Sequence, residues 1–266
     1  MNSNEEPLIT VITVVRNAAS LLEKTILNVI NQTHQNIEYI IIDGASNDGT
    51  IDIIKKYETK ISLWVSEPDK GIYDAMNKGI NLANGVWINF MNAGDKFFNN
   101  SIVESLFKRD THNQYDLMYG DSEYVYDNGF SIHKKTGELK NIWKFMVFCH
   151  QSLFMKTDIL KKYYFNIENL AADHELIYKC YNEKLKFLKL DMIVASYLSN
   201  GESEKRNIES IKSRWQGVRN IAPSVKVDLY YICFINKQKI RNLLRKHLPE
   251  PIKETIIKLK NYHLKL

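Results

Sequence analysis

The sequence has no apolar stretch near the ~20 residues that span a bilayer; the longest apolar run of its second half is Leu229 to Ile235. A membrane-spanning helix is not expected. The opening, Met1 to Pro7, is polar and acidic, unlike a secretory or transit peptide. Cysteine is scarce: Cys149, Cys180 and Cys233 are far apart, odd in number and without a C-x-x-C pair. That argues against a disulfide scaffold or zinc ribbon and for a reducing, cytoplasmic setting. Proline is scarce too, with five in 266 residues, and there is no repeat or low-complexity linker. At 44% hydrophobic the chain is too apolar for disorder. Its length suits one large α/β core, or one core with an appendage. Neither a G-x-G-x-x-G fingerprint nor a Walker A loop occurs.

Charge is present but unevenly spread. Residues 205–266 hold 15 Lys/Arg against 4 Asp/Glu, so the net +5 conceals +11 there and −6 on the preceding 204 residues. Chemistry in an acidic body and attachment by a basic tail is the division this suggests. From 236 to 266, cations alternate with Ile240, Leu243, Leu244, Ile252, Ile256, Ile257 and Leu259, spacings that suit amphipathic helices broken at Pro249 and Pro251. Such helices either pack on the body or lie on an anionic membrane surface. No nucleic-acid reader motif accompanies the charge, so nucleic acid is not an expected partner.

Strand and helix signals alternate through the first half. Strands are expected at Leu8–Val15, Ile37–Asp43, Ile61–Val65 and Val86–Met91. Between them, helices are expected from Ser20 to Asn31 (a Ser20/Glu23 capping box), from Asn47 or Asp48 to Tyr57, and over Gly71–Ala83. Short strand–helix–strand repeats imply a mostly parallel sheet with helices on both faces. After Asp116 the pattern becomes mixed, with strands over Leu117–Tyr126 and Phe130–His133 and a helix near Ala172–Glu183. The expected domains are 1–204, with a nucleotide-binding half (1–95) and a second half (96–204), and a basic helical extension (205–266).

Ligands of open parallel sheets bind beyond the carboxyl ends of the strands. Those ends carry Arg16-Asn17, Asp43-Gly-Ala-Ser46, Glu67-Pro-Asp69 and Asn92-Ala-Gly-Asp95. The Asp43–Thr50 loop has the composition of a turn and helix cap. Capping does not account for Asp43 at the strand exit, where a carboxylate can accept a ligand N–H such as that of uracil N3. Asn92–Asp95 suits either a β-turn or a carboxylate site for magnesium or manganese on a diphosphate. His150 reads as a core histidine or an acceptor contact, and His174 as a solvated helix residue or one tuning its neighbour. Trp64, Trp87, Trp143 and Trp215 read as packing residues, with sugar stacking open for Trp143 and Trp215. Ser199–Ser203 reads as a loop or a lid.

Six stretches occur in order: Ile12-Thr-Val-Val-Arg-Asn17, Ile41-Ile-Asp-Gly-Ala-Ser-Asn-Asp-Gly-Thr50, Ser66-Glu-Pro-Asp-Lys-Gly-Ile-Tyr-Asp-Ala-Met-Asn-Lys-Gly79, Phe90-Met-Asn-Ala-Gly-Asp95, Cys149-His-Gln-Ser152 and Ala172-Asp-His-Glu-Leu176. Over roughly residues 7–200 the chain resembles family 2 glycosyltransferases of the GT-A fold, in particular bacterial enzymes of surface-polysaccharide synthesis. The resemblance implies Thr13, Val14 and Asn17 at the nucleotide pocket, Asp43 on the uracil of a UDP-sugar, and Asp69 and Asn77 near the ribose and phosphates. It implies Asn92 and Asp95 as a D-x-D-like motif whose Asp95 binds Mn2+ or Mg2+. Asp173 falls at the family's catalytic base, with Glu175 in reserve, and His150 and Gln151 would shape the acceptor side. Here Asn92 opens the metal motif, Met76 stands where many relatives carry Arg, and Ala172 precedes the base.

The implied activity is inverting transfer of a hexose or N-acetylhexosamine to a sugar acceptor, carried on a polyprenyl diphosphate at the inner face of the cell membrane. The alternative is a non-catalytic sugar-nucleotide-binding scaffold of an assembly complex.

Overall fold

The computed structural model describes residues 6–108, 110–126, 128–198 and 207–247. Seven consecutive β-branched residues make β1 (Ile9–Val15), and all seven are buried, as befits a central strand covered on both faces. It pairs in parallel with β2 (Ile37–Asp43) on one side and β4 (Trp87–Phe90) on the other, and β3 (Leu63–Ser66) extends the sheet beyond β2. The connecting helices are α1 (Ala19–Ile30), α2 (Thr50–Lys56) and α3 (Ile72–Leu82). The second half adds β5 (Lys96–Phe97), α4 (Ile102–Phe107), β6 (Leu117–Val125), β7 (Ser131–Lys134), β8 (Leu153–Lys156), α5 (Thr157–Tyr163), α6 (Ala172–Asn182) and β9 (Phe187–Leu198).

The strand order is β3-β2-β1-β4-β8-β6-β9-β5, with β7 on β6. The first four strands run parallel; β8 is antiparallel to both β4 and β6. Helices cover both faces. On one, Ile12, Val14, Ile40 and Ile42 pack with Met76 and Ile80 of α3 and Leu176 of α6. On the other, Val11, Tyr39 and Ile41 pack with Leu22 and Ile26 of α1 and with Phe107.

Two further helices, α7 (Asn207–Ile221) and α8 (Val225–His247), follow. Ile211, Val218, Val227, Tyr231 and Ile235 belong to the same core as α3 and α6. These two helices pack on each other, through Trp215 against Tyr231, as well as on the body. The expected tail helix is continuous through His247; Pro249, Pro251 and the apolar positions from Ile252 to Leu259 lie outside the described residues, as does the Ser199–Ser203 loop.

Other local expectations need correction. Ser20 does not cap α1, which starts at Ala19 without a side-chain cap; Glu23 instead accepts from Lys56 and Tyr57 on α2. The second helix starts at Thr50, whose N–H is accepted by Asp48 Oδ1. Trp143 and Trp215 pack against Tyr230 and Tyr231, and the Trp215 indole donates to Asp228.

His174 is not solvated: it is 1% exposed, with Nε2 at 2.5 Å from the Ile142 carbonyl oxygen. Burial, reinforced by the Arg214 cation, lowers its pKa from 6.5 to about 4. The unfolded chain therefore binds the extra proton first. The resulting stability is full above pH 6.5 and is lost as pH falls through about 4. Urea unfolding across that window should show a loss on the order of 3 kcal/mol from this group, and His174→Gln should flatten that part of the profile.

Candidate active site

Parallel registry brings the carboxyl ends of β1 to β4 to one rim: Val15 lies beside Asp43, and Asp43 beside Ser66. The loops leaving this rim are stitched together. The Asn17 N–H donates to Ser46 Oγ at 2.7 Å, its side-chain carbonyl accepts from the Asn47 N–H at 3.0 Å, and Asp48 accepts from the Ala19 N–H at 3.1 Å. Asn17 and Ala45 both adopt left-handed backbone (φ 49° and 56°), a conformation that side chains with a Cβ rarely take. Gly44 admits the Asp69 carboxylate; a Cβ there would stand 2.2 Å from Asp69 Oδ2.

Asp43 is fully buried. Its Oδ2 accepts from the Ser46 N–H at 3.0 Å and the Ser66 hydroxyl at 2.7 Å, while Oδ1 is buried without a partner. A buried acceptor normally finds a donor. An unpaired one at the strand-end rim is what an N–H of a ligand would complete.

The β4–β5 turn turns through Gly94 at φ 100°, and the Asp95 N–H donates to the Asn92 carbonyl. Asp95 is 9% exposed and accepts from the Gln151 amide at 2.6 Å. Burial pushes its pKa up to about 7, against the donors Gln151 and the Leu198 N–H. Asn92 Nδ2 lies 3.2 Å from His150 Nε2, and its Oδ1 is buried without a partner. Among the described residues no three His, Cys, Asp or Glu side chains cluster for a metal. One carboxylate with one open amide oxygen nevertheless fits a hard divalent ion that takes its remaining ligands from a diphosphate.

Across this turn stands Asp173, at the start of α6 and one quarter exposed. Its Oδ1 accepts from the Tyr73 hydroxyl and from the His174 N–H, at 2.9 and 2.8 Å. Its Oδ2 is 3.6 Å from His150 Nδ1. Packing around the His150 ring lowers its pKa, with Asp173 opposing. The ring thus joins the Asn92 turn to Asp173, and the next residue, Gln151, holds Asp95. The antiparallel course of β8 makes this arrangement: its amino end meets the carboxyl end of β4, which puts His150–Gln151 at the rim.

Five expected residues therefore gather here: Asn92, Asp95, His150, Gln151 and Asp173. Asn17, Asp43 and Asp69 share the neighbouring part of the rim. Four others are placed differently. Thr13 is fully buried, bonded to the Met91 carbonyl and the Tyr39 hydroxyl inside the sheet, so its side chain lines no pocket. Val14 is likewise a core side chain. The Asn77 amide both donates to and accepts from the Phe165 backbone, which ties α3 to the segment before α6 rather than reaching toward phosphate. Glu175, two positions from Asp173, points to another side of α6 and accepts from Asn166 and Asn169. Met76 is a core residue.

Two contributors were not foreseen. Tyr73 lies within the Ser66–Gly79 stretch, but only the fold brings its hydroxyl to Asp173. Asn89 is fully buried and donates to both the Gln151 and Leu153 carbonyls at 2.9 Å, pinning the His150–Ser152 turn. An amide inside an otherwise apolar strand was its one visible signal.

The model of a family described as Glycosyl transferase family 2 matches residues 10–185. A PGL/p-HBAD biosynthesis glycosyltransferase of Mycobacterium bovis (strain BCG / Pasteur 1173P2) is 27% identical over 212 residues, covering 72% of this chain and 77% of that protein. Glycosyltransferase GlyA of Streptococcus pneumoniae serotype 4 is 26% identical over 71% of this chain, but only 30% of that protein. Among solved structures, S. aureus TarS 1-349 in complex with UDP-GlcNAc superposes with TM-score 0.66 at 16% identity, covering 92% of this chain and 77% of that one. The mannosyltransferase PcManGT from Pyrobaculum calidifontis, in complex with GDP-Man and Mn2+, gives 0.62 at 17% identity, covering 80% and 64%. At such identities the structural likeness speaks for the fold alone.

Asn89→Leu leaves two backbone carbonyls without their donor. Urea unfolding should show a loss of about 2–3 kcal/mol, with a disproportionate fall in activity because the His150–Gln151 turn loosens.

Proposed function

Because the chain belongs to glycosyl transferase family 2, and so is a glycosyltransferase, we propose that it moves a hexose or N-acetylhexosamine from a UDP-sugar to a sugar hydroxyl with inversion. For the acceptor we take a sugar on a polyprenyl diphosphate, used in surface-polysaccharide assembly at the inner face of the cell membrane; the strongly basic C-terminal region supports this. The observation that carries the reaction is the Asn92–His150–Asp173 series, which sets one carboxylate opposite the turn that holds another.

In this reading the uracil N3–H donates to the buried, unpaired Oδ1 of Asp43, and the Asn17 and Asp69 loops border the nucleoside. Asp95 and Asn92 Oδ1 would hold a divalent ion, manganese or magnesium. When bound, such an ion offsets the negative charge growing on the departing diphosphate. The acceptor oxygen forms its bond to the anomeric carbon as the bond to the diphosphate oxygen breaks, and that electron pair leaves with UDP. Asp173 takes the acceptor proton. The Tyr73 hydroxyl and the His174 N–H fix its carboxylate, and the His150 ring, its pKa lowered by burial, stands beside it uncharged at physiological pH.

Asp173→Asn should keep UDP-sugar affinity, measured by calorimetry, while UDP release with acceptor falls about 10²–10⁴-fold; near-normal turnover removes Asp173 from the base role. Asp43→Ala should weaken UDP binding about 10–100-fold, and unchanged affinity would refute the uracil contact. In Asp95→Ala, the manganese-dependent part of donor binding should disappear, whereas an identical manganese response would exclude it as a ligand.

A further inference from the structure

Helix α8 carries two apolar stripes. Val227, Tyr231 and Ile235 are buried against the body, and the Tyr231 hydroxyl donates to the Trp143 carbonyl. On another side lie Val225 (75% exposed), Leu229 (58%), Ile232 (44%), Ile240 (59%) and Leu243 (59%). At 3.6 residues per turn these five fall in one stripe about 80° wide, on the side away from the buried three. From Asn236 to Leu244 every residue except Gln238 is exposed, so this end of the helix has left the body. A soluble helix that needed only its docking stripe would place polar residues there.

The charge around the stripe identifies its occupant. Lys226, Lys237, Lys239 and Arg241 are exposed along the helix. Its one acidic residue, Asp228, is engaged by the Trp215 indole and Arg219. A second copy laid stripe to stripe would set cations against cations. An anionic lipid surface instead accepts the apolar side chains between its headgroups and pairs with the lysines. Among the described residues no helix is long and apolar enough to cross a membrane, which leaves α8 to lie on the surface.

We propose that the outward stripe Val225–Leu243 of α8, bordered by Lys226, Lys237 and Lys239, is an interfacial anchor for anionic phospholipid bilayers. The helix is fastened by Tyr231 to the Trp143–Lys144 backbone, just ahead of His150 in the chain. The anchor rests on the proposed reaction only for its purpose; its existence is tested without substrate.

The full chain is floated with vesicles of phosphatidylcholine alone or mixed with phosphatidylglycerol. We expect binding to the mixed vesicles only, weakening as salt rises. Ile240→Asp/Leu243→Asp should lower partitioning at least about tenfold, and Lys237→Glu/Lys239→Glu about 25-fold or more, at about fivefold per cation removed. All four side chains are exposed, so circular dichroism and UDP binding should match the parent. Absence of vesicle binding overturns the proposal. So does undiminished binding by Ile240→Asp/Leu243→Asp, which would move the contact to another segment. Concentration-dependent dimers, seen by light scattering and abolished by that variant without any vesicle binding, would assign the stripe to self-association instead.

Discussion

The antiparallel pairing of β8 with β4 is the constraint on which the candidate site depends. A parallel strand at this position would deliver its carboxyl end to the rim and bury the preceding turn on the far edge of the sheet. Reversed, β8 starts at the rim, and the His150–Ser152 turn lands beside the Asn92–Asp95 turn. Asn89 locks the join through two hydrogen bonds to the turn and the strand start. These bonds lie inside the sheet, where an unpaired carbonyl is costly. The position of His150 and Gln151 is thus fixed by the core rather than by the loop that bears them.

From that turn, contacts spread in two directions. Gln151 reaches Asp95, and the His150 ring reaches Asn92 and Asp173. Two carboxylates, 78 positions apart in sequence, are held by neighbouring residues of a single turn. Their environments differ: Asp95 is nearly closed off from water, whereas Asp173 stays partly open beside a phenol and an imidazole. Such a division suits one group for a bound charge and the other for a proton arriving from outside. The Asp43 end of the rim is built otherwise, from loops bonded to each other across the ends of β1 and β2. There left-handed backbone at Asn17 and Ala45 accompanies a buried oxygen of Asp43 that has no partner.

Much of this was legible beforehand because it is local. Strands of β-branched residues, helices ending near Asn31 and Ala83, and polar clusters at strand exits follow from periodicity and turn chemistry. The order of six motifs then located Asn92, Asp95, His150, Gln151 and Asp173. What misled was the assumption that a polar residue in a motif faces the ligand. Thr13 and Asn77 spend their hydrogen bonds on the fold, and Glu175 sits on a different side of α6. Conversely His174, polar and beside Asp173, is buried because α6 packs that side of itself beneath Ile142. Helical spacing alone does not say which of two polar faces meets the core.

The same limit applies to the basic C-terminal region. Its composition determined that it would be helical, cationic and amphipathic, since those properties depend on neighbours within a few turns. Which apolar stripe docks and which remains outside was decided only by packing, because α8 offers both and the α6–α7 surface accepts one. By itself the sequence determined the strands, the turns and the chemistry at their ends. Tertiary structure decided the partners, because Asp173 meets Tyr73, and Asp95 meets Gln151, only after residues dozens of positions apart are brought together by burial of the sheet.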